Sequence, residues 1–219
     1  MLPLPAEHQQ SGQIRIAIPT VNIDPIEGGL PQLLAVLGAP YTLKPINHIR
    51  LVNLDLPRDF IARLPGPKFG VEGILERFAP ALKRPLIAMM LKPRTGLSTD
   101  EYAAMALEAL RGGVDIIFDD ELLVSPDSSK LLQRVDRLVA VTQQAERDTG
   151  EPKRYAANIT SSIRYAIDIA ARVQIAGADF LYLNPITMGL SALEMLATSD
   201  VIRVPILCCR SGYGMWTRG

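Results

Sequence analysis

Beyond residue 84, short continuous apolar runs alternate with longer segments in which apolar residues recur every three to four positions. The runs fall at about residues 86–92, 114–120, 155–159, 180–184 and 204–209. A short run that is apolar at nearly every position suits a strand buried on both faces, as in a parallel sheet covered by helices. The intervening segments predict helices over about 102–111, 129–148, 161–176 and 191–198. Ser98 and Glu101 form a capping-box pair before the first, Gly112 and Gly113 stop it, and Gly150 and Gly177 stop the next two. Along 129–148, Leu131, Val135, Leu138, Val139 and Thr142 share one face. The order is βαβα, which predicts a (β/α)8 barrel-type α/β fold of which about five βα units are present.

The earlier part reads differently. Residues 13–18 and 48–54 alternate enough to be strands, and 30–37 has the spacing of an apolar helix. Residues 64–70 hold two prolines and two glycines in seven positions, which sustains neither a helix nor a central strand. The expected division is a partial α+β N-terminal domain with linker over 1–70 and a partial barrel over 71–219.

Charge narrows the range of ligands. Lys and Arg number 23, and so do Asp and Glu, so the chain has no net field to attract nucleic acid or an anionic membrane surface. The longest apolar run, 85–91, is far too short to span a bilayer. Residues 1–10 lack the basic start and apolar run of a signal peptide, and the only two cysteines are the adjacent Cys208 and Cys209. Both features predict a cytoplasmic protein with neither a disulfide framework nor a membrane role.

In parallel α/β folds, ligand sites gather at the carboxyl ends of the strands. Those ends are polar here: Lys92 and Arg94 after the first, Asp119, Asp120 and Glu121 after the second, Asn158 and Thr160 at the third, Asn184 after the fourth, Cys209 and Arg210 after the fifth. Arginine forks suit phosphate, a desolvated lysine can move protons near neutrality, and paired carboxylates offer hard oxygen ligands for magnesium. A small phosphorylated ligand rich in oxygen is the expected partner. Solvated ion pairs on an ordinary barrel rim are the plainer alternative, since such pairs also perturb titration.

Residues 92–98, Lys-Pro-Arg-Thr-Gly-Leu-Ser, resemble the Lys-Pro-Lys-x-Gly-Leu-Ser segment of the RuBisCO large chain. Residues 111–121, Arg-Gly-Gly-Val-Asp-Ile-Ile-Phe-Asp-Asp-Glu, resemble its Arg-Gly-Gly-x-Asp-x-x-Lys-Asp-Asp-Glu. The likeness extends from about Ile14 to Arg210. The linker and the Gly-Tyr-Gly-Met-Trp-Thr-Arg ending are more similar to RuBisCO-like proteins than to true carboxylases. The resemblance implies that Lys92 shuttles the proton in enolisation of a ketose phosphate and that Asp120 and Glu121 bind magnesium. It gives Arg210 a phosphate and implies a homodimer; Asn158 lies in a motif that resembles the family's Asn-x-Thr, and with Arg94, whose fork itself suits phosphate, it is an expected substrate contact.

Three departures alter what the resemblance implies. Phe118 stands where the family has the lysine whose carbamate ligates magnesium, so metal binding is expected to be weak or absent. Ala39 replaces an asparagine that reaches across from a partner subunit, and Cys209 replaces a histidine before Arg210, with packing as its expected role. Strand alternation aims Phe118 and Asp120 to one side and Asp119 to the other. The resulting expectation is a RuBisCO-like protein with enolate-forming lyase or isomerase chemistry on a phosphorylated sugar or sugar acid, and without carboxylation. Two alternatives stand beside it: a truncated or degenerate homologue with a ligand-binding or assembly role, and an unrelated aldolase-like barrel using Lys92 as a Schiff-base amine.

Overall fold

The computed structural model describes residues 12–43, 49–78, 84–93, 95–124 and 127–214. The chain divides into two compact units, Met1–Arg63 and Leu64–Gly219. In the first, the Asp24 carboxylate accepts the amides of Ile26 (2.8 Å) and Glu27 (3.1 Å), a turn that leads the chain into helix α1, Gly29–Gly38. A 3-10 turn, Ala39–Thr42, extends α1, and α2 is the single turn Arg58–Ile61. The segments 13–18 and 49–54 form no strands, which corrects the strand expectation for those described residues. Alternation alone does not make a strand, because an extended segment needs a partner to satisfy its backbone. Ile14, Ile16, Leu51 and Val52 remain exposed.

The second unit opens with α3, Gly70–Phe78, and then builds four βα steps and a fifth strand among the described residues. Strands β1 (Ala88–Met90), β2 (Ile116–Phe118), β3 (Arg154–Asn158), β4 (Phe180–Leu183) and β5 (Ile206–Cys208) pair in sequence order, every pair parallel. Each coincides with a predicted run; β3 keeps its length, β4 is shorter by one residue, and β1, β2 and β5 are three residues each because the ladder covers only the middle of the run. Between them lie α4 (Thr99–Arg111), α5 (Ser128–Thr149), α6 (Ile163–Ile175), the single turn α7 (Pro185–Met188) and α8 (Leu190–Thr198). This is part of a (β/α) barrel.

The helix boundaries follow from local chemistry. Ser98 accepts the Glu101 amide while the Glu101 carboxylate accepts the Ser98 amide, the reciprocal cap read from the sequence. Asp127 caps α5 through the Lys130 amide at 2.9 Å, and Gly150 ends it with φ 71°, a left-handed residue that glycine adopts without a side-chain clash. After α6, Gly177 turns at φ 101°, where an added Cβ would lie 3.2 Å from a Val139 methyl.

Alternation along the strands separates two apolar layers. Ile117, Tyr155, Ala157, Ile159, Leu181 and Leu183 pack with Leu110, Leu138, Val173 and Leu196 of the helices. On the opposite side Ile116, Ala156, Phe180 and Tyr182 form a smaller cluster with Met90, Phe118, Leu207 and Cys209 against it. Among the described residues, no helix is long and apolar enough to cross a membrane.

Candidate functional site

Parallel pairing brings every strand's carboxyl end to one edge of the sheet, and the candidate side chains follow those ends. Lys92 lies two residues beyond β1, Asp120 and Glu121 just beyond β2, Asn158 closes β3, and Arg210 lies two beyond β5. Arg94 lies outside the described residues.

Lys92 and Asp120 form an ion pair. The lysine side chain is about half exposed while that of Asp120 is fully buried. The second Asp120 oxygen accepts the Leu122 amide at 2.7 Å, which ties the carboxylate to the turn that follows it. Glu121 is half-buried, and its carboxylate has no hydrogen bond or ion pair among the described residues. Arg210 is exposed, and its guanidinium is equally without a partner among them.

Behind this rim lies a buried network that sequence reasoning missed. Asp119, aimed to the helix side by alternation, accepts the Tyr155 hydroxyl (2.8 Å), the Asn158 amide (2.9 Å) and the Arg134 guanidinium (3.2 Å), with the Tyr102 hydroxyl at 3.5 Å. Burial pushes the Asp119 carboxyl up from its ordinary value, opposed by Arg134, the Asn158 amide and the Tyr155 hydroxyl. For Arg134, burial acts to lower its value, but Asp119 and Tyr155, through charge and hydrogen bonds together, outweigh burial and keep the guanidinium charged. Burial, and then the Asp119 charge, hold the Tyr102 and Tyr155 phenols protonated well above their ordinary value. One signal was available: Arg134 interrupts the apolar stripe of α5 between Leu131, Val135 and Leu138, and a cation there requires a buried acid.

Asn158 is committed to the protein. Its side-chain amide donates to the backbone carbonyls of Asp120 (3.0 Å) and Glu121 (3.3 Å), and its oxygen accepts the Thr160 amide at 2.8 Å.

Phe118 points away from the helix layer and stacks obliquely on Tyr182, with ring centroids 5.4 Å apart and planes at 51°. The Tyr182 hydroxyl is buried and makes no hydrogen bond of ordinary geometry among the described residues. Burial pushes its phenol up, and the Cys209 thiol and the Glu121 and Asp120 carboxylates act in the same direction. Cys209 is half-buried against this cluster, and its sulfur accepts the Ser211 amide at 3.1 Å. Ala39 is exposed in the 3-10 turn after α1.

A resident magnesium ion does not fit this donor set. It needs a near-octahedral shell of oxygens, whereas Asp120 is engaged by Lys92 and the Leu122 amide, and a phenyl ring stands at position 118. Among the described residues, no three His, Cys, Asp or Glu side chains gather as a metal site requires. The rim can instead pair a mobile ammonium with a fixed carboxylate and offer an open guanidinium to an anion.

Five parallel strands with helices between them and polar carboxyl ends define part of a (β/α) barrel. A family model described as ribulose bisphosphate carboxylase large chain, catalytic domain, matches residues 73–218. The chain belongs to the RuBisCO large-chain family, as a RuBisCO-like member. It is 36% identical over 216 residues to a ribulose bisphosphate carboxylase-like protein of Chlorobaculum tepidum, covering 94% of this chain and 48% of the relative. The structure of a rubisco-like protein (MtnW) from Alicyclobacillus acidocaldarius superposes with a TM-score of 0.79 at 30% identity, over 90% of this chain and 48% of that one. A dimeric archaeal Rubisco from Hyperthermus butylicus gives 0.80 at 29% identity, over 92% and 47%. The chain therefore spans about half the length of the relatives it matches. The family resemblance read from residues 92–98 and 111–121 is borne out.

Proposed function

We propose that this chain contributes to enolate-forming chemistry on a phosphorylated sugar or sugar acid, by enolisation, isomerisation or decarboxylation, and does not fix carbon dioxide. The observation that carries the reading is the Lys92–Asp120 pair at the carboxyl ends of adjacent parallel strands, with Phe118 filling the place of the family's carbamylated lysine. In its amine form Lys92 takes the proton from the carbon beside a ligand carbonyl. The C–H electrons pass into the carbonyl, and the negative charge collects on its oxygen. Arg210, open and unpartnered among the described residues, holds the phosphate. Glu121 is placed to accept a ligand hydroxyl, while Asn158 acts on the protein backbone. Magnesium binding is expected to be weak, and no step here depends on it. The dimeric state of the Hyperthermus butylicus enzyme supports a homodimer, the zero net charge supports a small-molecule partner with no nucleic acid or membrane, and the two adjacent cysteines, which form no disulfide framework, support a cytoplasmic setting.

The test is deuterium exchange. Phosphorylated ketoses incubated with the protein in heavy water should incorporate deuterium at the carbon beside the carbonyl, and Lys92→Met should abolish incorporation. Absence of exchange with every phosphorylated ketose, despite measurable binding, sinks the catalytic reading. The second reading, a homologue that binds ligand or assembles without catalysis, then takes its place. Borohydride trapping of a ketose on Lys92 would instead support Schiff-base chemistry.

A further inference from the structure

We propose that Asp119 and Asn158 form a positioning clamp that fixes the backbone bearing Asp120 and Glu121, and so sets the Lys92–Asp120 pair. Only the consequence for ligand rests on the proposed function; the clamp itself stands on the geometry.

The ladder of β2 ends at Phe118, and its last rung onto β3 is the Asp119 amide donating to the Ala156 carbonyl at 3.2 Å. The carbonyls of Asp120 and Glu121 lie past that point, where the sheet no longer holds them. Asn158 replaces the missing rungs with its side-chain amide, at 3.0 and 3.3 Å. An asparagine side chain has two N–H groups and one carbonyl, and all three are spent here, the carbonyl on the Thr160 amide. Little remains for a ligand. The substrate contact expected of Asn158 is thus replaced by a grip on the residues that bear the carboxylates.

Asp119 anchors the other side of the clamp. Its carboxylate has no access to solvent and takes donors from α4 (Tyr102), α5 (Arg134), the start of β3 (Tyr155) and the end of β3 (Asn158). A buried carboxylate with several donors is held by all of them at once, and loss of one partner leaves the others imperfectly placed. Because Asp119 precedes Asp120 directly, its anchoring fixes where the Asp120 backbone begins. Asn158 fixes where it leads. The helices are thereby mechanically connected to the ion pair on the opposite face without touching it.

Lysine reactivity tests this without a known ligand. An ammonium engaged with a carboxylate must leave it before its nitrogen can be acylated, so the acylation rate of Lys92, read by peptide mass spectrometry, reports on the pair. Lys153 provides the control: its side chain is fully buried, pairs with Glu151 at 3.2 Å, and sits at the far end of β3. Asn158→Ala should raise the Lys92 rate about tenfold, the factor carried by a net hydrogen bond, while Lys153 stays protected. Tyr155→Phe preserves packing and removes one Asp119 donor, so it should raise the Lys92 rate in the same sense by roughly twofold. It also serves if the Ala variant does not fold. An unchanged Lys92 rate in the folded variants, or Lys92 and Lys153 rising together, overturns the proposal in favour of a merely structural role. Failure of the parent chain to exchange deuterium into ketoses would remove the proposed function and leave this result standing.

Discussion

Asp179→Asn should stabilise the protein at neutral pH and lose that advantage in acid. Asp179 sits just before β4 at the amino end of the sheet, with its side chain 23% exposed. Its carboxylate accepts the Tyr155 amide at 3.1 Å and lies 3.4 Å from the Arg154 guanidinium. Burial pushes this carboxyl up from 3.8 to about 6, against the pull of the Tyr155 amide and Arg154, with the Glu146 charge adding to the rise. Between about pH 4 and pH 6 the folded chain therefore keeps a proton that the unfolded chain releases, and stability falls as pH rises through that window. At about 1.4 kcal/mol per pH unit, the penalty above pH 6 is about 3 kcal/mol. The amide in the variant is a weaker partner for Arg154, so the net gain at pH 7.5 should be about 1–2 kcal/mol. For a chain of this size that is roughly 2–8 °C in Tm. Thermal unfolding followed by circular dichroism at pH 4, 5, 6 and 7.5 measures it. Parallel stability profiles for parent and variant across that range would refute the description of Asp179 as a carboxylate that ionises at a cost.

Other sites make separate predictions. Asp115→Asn breaks a two-pronged Arg84 contact at 2.6 and 2.8 Å and should cost about 1–3 kcal/mol at pH 7. Burial acts to raise the Asp115 value but is outweighed by Arg84 and the Ile87 amide, so the carboxyl is held low. Its contribution is present above about pH 4 and disappears as pH falls through the lower folded value, which urea unfolding at pH 7 and pH 3 would show. Arg210→Ala should weaken binding of a phosphorylated ligand about 10- to 150-fold by calorimetry, the range for a hydrogen bond to a charged group; an unchanged Kd removes Arg210 from the phosphate site. Phe118→Lys should create a bicarbonate-dependent rise in magnesium affinity that the parent lacks, and tight magnesium binding by the parent would overturn the account of position 118.

The parallel strands were legible because each is apolar on both faces and bounded by its own punctuation, from the Ser98–Glu101 cap to Gly150 and Gly177. The segments at 13–18 and 49–54 misled because alternation records a preference and a strand requires a neighbour; Ile16 and Val52 are apolar but exposed. The rim was legible at Lys92, Asp120 and Arg210, since their positions follow from where strands end. What Asn158 does was not. Its partners are backbone carbonyls contributed by another strand's exit, and no sequence pattern announces a carbonyl. The Asp119 network was half legible: alternation sends its side chain among the helices, but its donors come from α4, α5 and both ends of β3.

The two ends of the sheet use charge differently. At the amino end, Arg84 joins Asp115 and Glu151, Lys153 joins Glu151, and Arg154 joins Glu146 and Asp179, so the cations are spent on acids of the same scaffold. At the carboxyl end, Lys92 pairs with Asp120 and the buried Asp119 with Arg134, while the Glu121 carboxylate and the Arg210 guanidinium have no partner among the described residues. A charge left to solvent contributes little to folding, so stability does not account for keeping Glu121 and Arg210 where they are. Under the proposed function, recognition of an anionic, hydroxylated ligand accounts for them. Phe118 belongs to the same argument. Its ring on Tyr182 turns part of the face beside Asp120 apolar, which removes an oxygen ligand for a metal and leaves Lys92 as the cation nearest in sequence register to that carboxylate. In the proposed function, a side chain's charge stands at Asp120 where the family has a metal's, an arrangement compatible with moving protons and poorly suited to binding carbon dioxide.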